Sequence, residues 1–202
     1  MVANILKWLG IENPTYLDIG AYHSSNISNT YLLYLSGCSG ICIEPDPFLY
    51  AEVKYNRPKD TVLNIGIGKE KSFLSFFQME NKTLNTFVEK EAREAEALGI
   101  SKISNIIQVE VTTINDVIAK YASQIPNFIS IDVEGMQMDI LYSFDFHKYK
   151  PEIFCIETQN SQYEKITAIN DFMIEKGYFV CADTYINTIF VLKDRWDNRL
   201  LK

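Results

Sequence analysis

Short apolar runs recur along the chain, each stopped by a polar residue or a glycine. They read Tyr16-Leu17-Asp18-Ile19, Gly40-Ile41-Cys42-Ile43, Val62 to Ile65, Phe128-Ile129-Ser130-Ile131 and Ile153-Phe154-Cys155-Ile156. Their apolar residues fall at adjacent rather than strictly alternate positions, which is the mark of strands covered on both faces. Five strands of a mostly parallel sheet are therefore predicted. The segments between them carry helix punctuation. Ser28-Asn29 can cap a helix over residues 30–36 that Gly37 closes. Asp46 followed by Pro47 starts another over 47–56, and Thr113 with Asp116 resembles a capping box before 114–122. A further helix is expected over 136–142, and residues 178–183 and 188–192 are close enough in sequence to form an antiparallel pair.

Three other segments complete the pattern. Residues 1–10 (MVANILKWLG) form a short apolar-leaning helix, expected to pack on the domain or on a subunit partner rather than to anchor in a membrane. An acidic helical insert is expected at about 85–100, built on FVEKEAREAEAL (87–98). The run Phe73-Leu74-Ser75-Phe76-Phe77 alternates imperfectly and reads as core. No repeat, linker or low-complexity tract interrupts the order. The fold class is α/β, Rossmann-like, as one domain over residues 1–202.

Composition changes this picture little and partners more. The 202 residues carry a net charge of -7, and no Lys/Arg stripe offsets it, so nucleic acid is excluded as a partner class. No run is long enough to span a bilayer and no signal peptide is read at the start. Cys38, Cys42, Cys155 and Cys181 lack the CxxC spacing of metal sites, and three of them sit in apolar strand runs as small hydrophobes. A cytoplasmic location follows as the expectation, with a homo-oligomer left open.

Ligands of open α/β sheets bind beyond the carboxyl ends of the strands. The residues just past the runs are Asp18, Glu44, Asn64, Asp132 and Glu157, of which four are acids. A dinucleotide would need glycines for close approach of the backbone to a pyrophosphate. The first turn instead reads Gly20-Ala21-Tyr22-His23-Ser24-Ser25, and the carboxylate of Asp18 would face the phosphate. A nicotinamide oxidoreductase is thereby disfavoured. S-adenosylmethionine has no phosphate and bears a cationic sulfonium and an ammonium, which suit Asp18. Glu44 stands where an acid can accept hydrogen bonds from both ribose hydroxyls. The alternative for Asp18 is a plain turn cap.

These residues resemble the FkbM-type S-adenosylmethionine-dependent methyltransferases. The resemblance runs through YLDIGA (16–21), SNTYLLY (28–34), GICIEPDP (40–47), NIGIG (64–68), LNTF (84–87), ISIDVEGMQMDIL (129–141), PEIFCIE (151–157) and NTIFVLKD (187–194). It implies a Rossmann-like methyltransferase fold, S-adenosylmethionine as cofactor, and O-methylation of a hydroxyl on a sugar, glycan precursor or natural product. It also implies a cofactor pocket drawn from Asp18, Gly20, Ala21, Ser28, Asn29, Glu44, Pro45, Asn64, Gly66 and Asp132. Many relatives have a further glycine in the first loop, where this chain has His23-Ser24-Ser25.

An alcohol is a poor nucleophile, so a base or a divalent metal is expected beside it. Asp132 is the first candidate, as base, metal ligand or contact to the methionine ammonium; a helix cap is its structural alternative. Glu134 lies in the same turn with Gly135 beside it, and His23 at the mouth is a third candidate for the chemical step. Asp132, Glu134 and Glu157 are candidate ligands for Mg²⁺ or Mn²⁺. A non-catalytic member of the same fold, binding cofactor or partner without turnover, is the competing reading.

Overall fold

The computed structural model describes residues 1–159 and 164–199. A central sheet is built from β1 (Tyr16–Ile19), β2 (Gly40–Ile43), β3 (Thr61–Leu63), β7 (Phe128–Ile131), β8 (Ile153–Glu157), β9 (Tyr178–Asp183) and β10 (Asn187–Leu192), in the order β3-β2-β1-β7-β8-β10-β9. β1 pairs in parallel with both β2 and β7, setting Asp18 beside Cys42 on one side and Ser130 on the other. β10 runs antiparallel to both β8 and β9, so the expected C-terminal hairpin is present and is built into the sheet. Chain order reverses between β1 and β7, and the crevice at such a reversal is where this architecture binds ligands.

Both faces of the sheet are covered, as the unbroken apolar runs require. On one face Leu17, Ile19, Ile43, Ile129, Ile131 and Phe154 pack on α5 (Ile114–Tyr121), α6 (Gln137–Ser143) and α7 (Thr167–Glu175). On the other, Tyr16, Cys42, Phe128 and Ile153 meet Ile5 and Leu6 of α1 (Val2–Trp8), Leu33 of α2 (Tyr31–Leu35) and Val53 of α3 (Pro47–Asn56). The first helix thus packs on this face of the sheet. Asp46 caps α3 by accepting from the amides of Phe48 and Leu49, and Thr113 caps α5 by accepting from the amide of Asp116. The four cysteines are free thiols. Among the described residues no helix is long and apolar enough to cross a membrane.

Three expectations are corrected. The strand over 62–65 ends at Leu63, where the Asn64 side chain turns to donate from Nδ2 to the carbonyls of Glu44 and Pro45 (both 2.9 Å). The chain then leaves the main sheet as β4 (Gly66–Ile67). β4 opens a second sheet, of order β4-β6-β5, with β5 at Ser72–Met79 and β6 at Ile103–Thr112. The acidic insert, α4 (Glu89–Ala97), hangs between β5 and β6 with Ala92 and Ala95 buried. Phe76 and Phe77 are core as read, whereas Phe73 is exposed. Thr30 rather than Ser28-Asn29 occupies the N-cap position of α2, and it makes no side-chain cap bond because its hydroxyl is engaged beneath the first strand, as described below.

The N-terminal helix tests whether residues 1–10 belong to the domain. Leu6 is 1% exposed, so Leu6→Ala should cost about 2–5 kcal/mol in denaturant unfolding. A loss below about 1 kcal/mol would show α1 to be loosely attached.

Candidate active site

The turn after β1 is stitched to its neighbours on both sides. The amides of Gly20 and Ala21 both donate to the carbonyl of Ile43 at the tip of β2, and the Asp132 amide donates to Ile19 (all 3.0 Å). Gly20 has φ +81°, and a Cβ there would lie 1.8 Å from the Asp132 carbonyl oxygen. Glycine is therefore required twice over, by conformation and by space. Tyr22 follows in the left-handed region (φ 53°), which turns its amide onto Glu44 Oε2 at 2.8 Å. The other oxygen, Oε1, accepts from the Asp46 amide at 2.9 Å. Each oxygen keeps further acceptor capacity toward the cavity. Burial raises Glu44 to about 8, against the pull of these two amides. Its folded pKa lies above the ordinary carboxyl value, so the folded protein binds the extra proton. This contribution to stability is lost as pH rises from about 4.5 to about 8.

Beneath the turn lies a buried polar chain. Asp18 Oδ2 accepts from the Thr30 hydroxyl at 2.6 Å, and Thr30 Oγ1 in turn accepts from Arg57 Nη2 at 2.9 Å. Arg57, wholly buried, also pairs with Asp60 at 2.7 Å and donates to Tyr16 and Ser28. Burial pushes the Asp18 carboxyl up, while Thr30 and the Arg57 charge oppose that shift. Asp46 joins the two sheets: besides capping α3 it accepts from Gln78 of β5 at 2.8 Å and from Asn85 at 3.3 Å.

Three more carboxylates meet across the tips of β7 and β8. Oxygens of Asp132, Glu134 and Glu157 all lie within 4.8 Å of one another. Glu134 (φ 42°) and Gly135 (φ 100°) both take left-handed conformations, and the Thr86 hydroxyl holds the Glu134 carbonyl at 2.8 Å. Gln137 bridges the turn: its Oε1 accepts from Gly135 and its Nε2 donates to Glu157 at 2.7 Å. Burial raises all three carboxyls, and repulsion raises them further, from Asp18 on Asp132, from Asp132 and Glu91 on Glu134, and from Asp132 and Glu134 on Glu157. Carboxyls this close titrate as a unit that holds protons near neutrality. Asp132 is not a helix cap, because the N-cap of α6 is Met136 and makes no side-chain cap bond.

Asp18, Glu44 and the carboxyl trio open onto one cavity of about 390 Å³. Of the residues expected from the sequence, Asp18, Gly20, Ala21, Ser28, Asn29, Glu44, Pro45, Asp132, Glu134 and Glu157 line it. Three do not. Asn64 supports the Glu44-Pro45 backbone from behind, and Gly66 makes room for the Phe87 ring, which a Cβ would meet at 2.5 Å. His23 is turned to its own loop, where Nδ1 accepts from the Ser25 and Asn26 amides and Nε2 faces Glu52 at 3.7 Å. The same loop is pinned by Ser24, which gives both its amide and its hydroxyl to Glu52. A fixed path is thus obtained without the glycine many relatives carry. The second sheet and α4 add wall residues that the sequence reading missed, among them Phe76, Phe87 and Leu98. The alternation of Ile107, Val109 and Val111 along β6 was the available signal.

Strand order with an antiparallel β10 between β8 and β9, and acids near the end of β1 and beyond β2 and β7 around one crevice, define a Rossmann-like class I methyltransferase fold. Residues 18–180 match the family model described as the methyltransferase FkbM domain, and the chain belongs to that family. Membership brings S-adenosylmethionine-dependent methyl transfer with it. Among solved structures, the chain is similar to a precorrin-6y C5,15-methyltransferase from Geobacter metallireducens GS-15, at 12% identity and a TM-score of 0.48, covering 95% of this chain and 86% of that one. It is also similar to a TehB-like SAM-dependent methyltransferase from Corynebacterium glutamicum, at 10% identity, the same TM-score and the same coverage. At that distance these likenesses add nothing to what strand order shows. Comparison with curated proteins finds no match.

Gly20→Ala should lose at least about 2 kcal/mol of stability, from the φ alone, and abolish binding of S-adenosylhomocysteine. Denaturant unfolding and titration read the two effects. A variant of native stability that still binds would contradict the close approach of Gly20 to Asp132.

Proposed function

We propose that the protein O-methylates a hydroxyl of a small acceptor, such as a sugar, a glycan precursor or a natural product. The observation that carries this reading is the convergence of Asp132, Glu134 and Glu157 on the cavity that Asp18 and Glu44 also line. When bound, S-adenosylmethionine supplies a methyl group already activated on a cationic sulfonium. The chain's own residues then have two tasks: to hold the cofactor and acceptor in line, and to take the hydroxyl proton.

Glu44 is suited to the first task. Its carboxylate is fixed by two backbone amides and faces the cavity, so its spare lone pairs can accept from two ribose hydroxyls at little ordering cost. Gly20, Ala21, Ser28, Asn29 and Pro45 would shape the rest of that pocket, and Asp18 would place negative charge at its floor. Asp132 is suited to the second task. Burial and its neighbours raise its carboxyl, which brings proton affinity toward the working range of a general base. The trio would hold a hard divalent cation if its oxygens, within 4.8 Å of one another, drew in to the roughly 3–4 Å separations of ligands around Mg²⁺. Such an ion would lower the pKa of a bound hydroxyl instead.

Two measurements test these roles. Glu44→Ala should weaken S-adenosylmethionine binding about 30-fold, the loss of two hydrogen bonds worth about 1 kcal/mol each. Unchanged affinity in a folded variant would remove Glu44 from the cofactor site. Asp132→Asn should lower turnover roughly 10²–10⁴-fold with cofactor affinity little changed if Asp132 is the base. If a metal acts, a chelator should abolish native activity and Mg²⁺ or Mn²⁺ restore it. Near-native turnover in Asp132→Asn together with indifference to chelator would eliminate both roles.

A further inference from the structure

The cavity wall divides by chemistry. Its floor carries the carboxyls of Asp18, Glu44, Asp132, Glu134 and Glu157, and Lys82 is the one cation among the described residues that line it. Its mouth is mostly aliphatic, with Lys82 and Thr83 as its exposed polar members. Ile27 after β1, Leu98 and Ile100 after α4, and Ile186 between β9 and β10 all line the same cavity. They are exposed by 71%, 68%, 46% and 50% respectively. Single exposed aliphatics need no explanation, but four from three separate loops converging on one opening do. Two of those loops hold a non-glycine residue in the left-handed region at the rim: Ile27 itself (φ 59°) and Tyr185 (φ 75°), next to Ile186. For a β-branched residue such as Ile27 that conformation carries strain, which persists where the surroundings over-determine it.

Size adds a second constraint. A cavity of about 390 Å³ lies near the small end of the range of about 300–1,000 Å³ for one ligand. A cofactor of nucleoside size fills most of it, so the acceptor enters by its reacting end and leaves its body at the mouth. Charge adds a third. An anionic group placed among these crowded carboxyls, with a single lysine on the described wall, would have to force still more of them to hold protons, which disfavours phosphorylated, nucleotide-linked or carboxylate acceptors.

Building on the methyl-transfer reading above, we propose that the acceptor is an uncharged hydroxyl compound with an apolar body. Its hydroxyl reaches the carboxyls of Asp132, Glu134 and Glu157, while its body lies against Ile27, Leu98, Ile100 and Ile186. Free hydrophilic sugars and sugar phosphates are then poor acceptors, and a sugar qualifies when it carries an apolar aglycone.

Calorimetric titration of the protein saturated with S-adenosylhomocysteine tests this with three probes. They are octyl β-D-glucopyranoside below its micellar concentration, methyl β-D-glucopyranoside and glucose 6-phosphate. The octyl glucoside should bind at least about tenfold more tightly than the methyl glucoside, from burial of a few methylenes, and glucose 6-phosphate should not bind. That advantage should vanish in Leu98→Ser/Ile100→Ser, whose fold is checked by circular dichroism. Equal or undetectable binding of the two glucosides, tighter binding of the phosphate, or an advantage that survives the double substitution would overturn the proposal. Binding of S-adenosylhomocysteine itself is read first. Its absence counts against the methyl-transfer reading alone, and the alkyl preference is then measured on the free protein.

Discussion

The site depends on a methyl group that is not there. Gly20 lies so close to the Asp132 carbonyl that any side chain would overlap it. That contact draws the tips of β1 and β7 together at the point where chain order reverses. From it follow the paired amides of Gly20 and Ala21 on Ile43 and the left-handed Tyr22. The same turn delivers the Tyr22 amide to Glu44. Three strand ends are thereby fixed relative to one another before any ligand arrives. Preorganisation of this kind lets binding energy go into orientation rather than ordering.

The second constraint is electrostatic. Six carboxyls line one cavity, Glu94 on its α4 wall and five around the strand tips, while wholly buried Arg57 lies beneath it and pairs with Asp60. Arg57 touches Asp18 through the Thr30 hydroxyl, and its charge also opposes the rise in the Asp18 carboxyl. Unpaired carboxyls in a partly desolvated crevice are costly, and their raised proton affinities register that cost. Such an arrangement is poor for stability and well matched to a cationic nucleoside. Asp46, tied at once to α3, to Gln78 of β5 and to Asn85, joins the second sheet to the cofactor side of the cavity. The insert that supplies the mouth is thus anchored two residues from Glu44.

Much of the frame was legible because it is written in local patterns. Runs such as FISI and IFCI announce strands buried on both faces, and Asp46-Pro47 and Thr113 announce helix starts that the structure reproduces. The acids at the strand tips were legible for the same reason, since strand ends locate the rim. What escaped depends on contacts distant in sequence. The second sheet pairs Ser72 with Val111 across an intervening helix, and nothing near Ser72 signals its partner. Thr30 read as part of a helix start, yet its hydroxyl serves Asp18 and Arg57, residues joined to it only by the fold. His23 read as a candidate base from its place after the turn, but the backbone curls so that its ring accepts from amides two and three residues ahead. Asn64 and Gly66 were placed in the pocket by position, whereas their work is to support its wall.

The central claim is that the crevice between β1 and β7 orients a cationic nucleoside toward the carboxyls beyond β7 and β8. A crystal structure of the protein with S-adenosylhomocysteine tests it most directly. The account predicts both ribose hydroxyls on Glu44 and the sulfur directed toward Asp132, Glu134 and Glu157. A nucleoside bound with its ribose away from Glu44, or with its sulfur facing away from that trio, would contradict it.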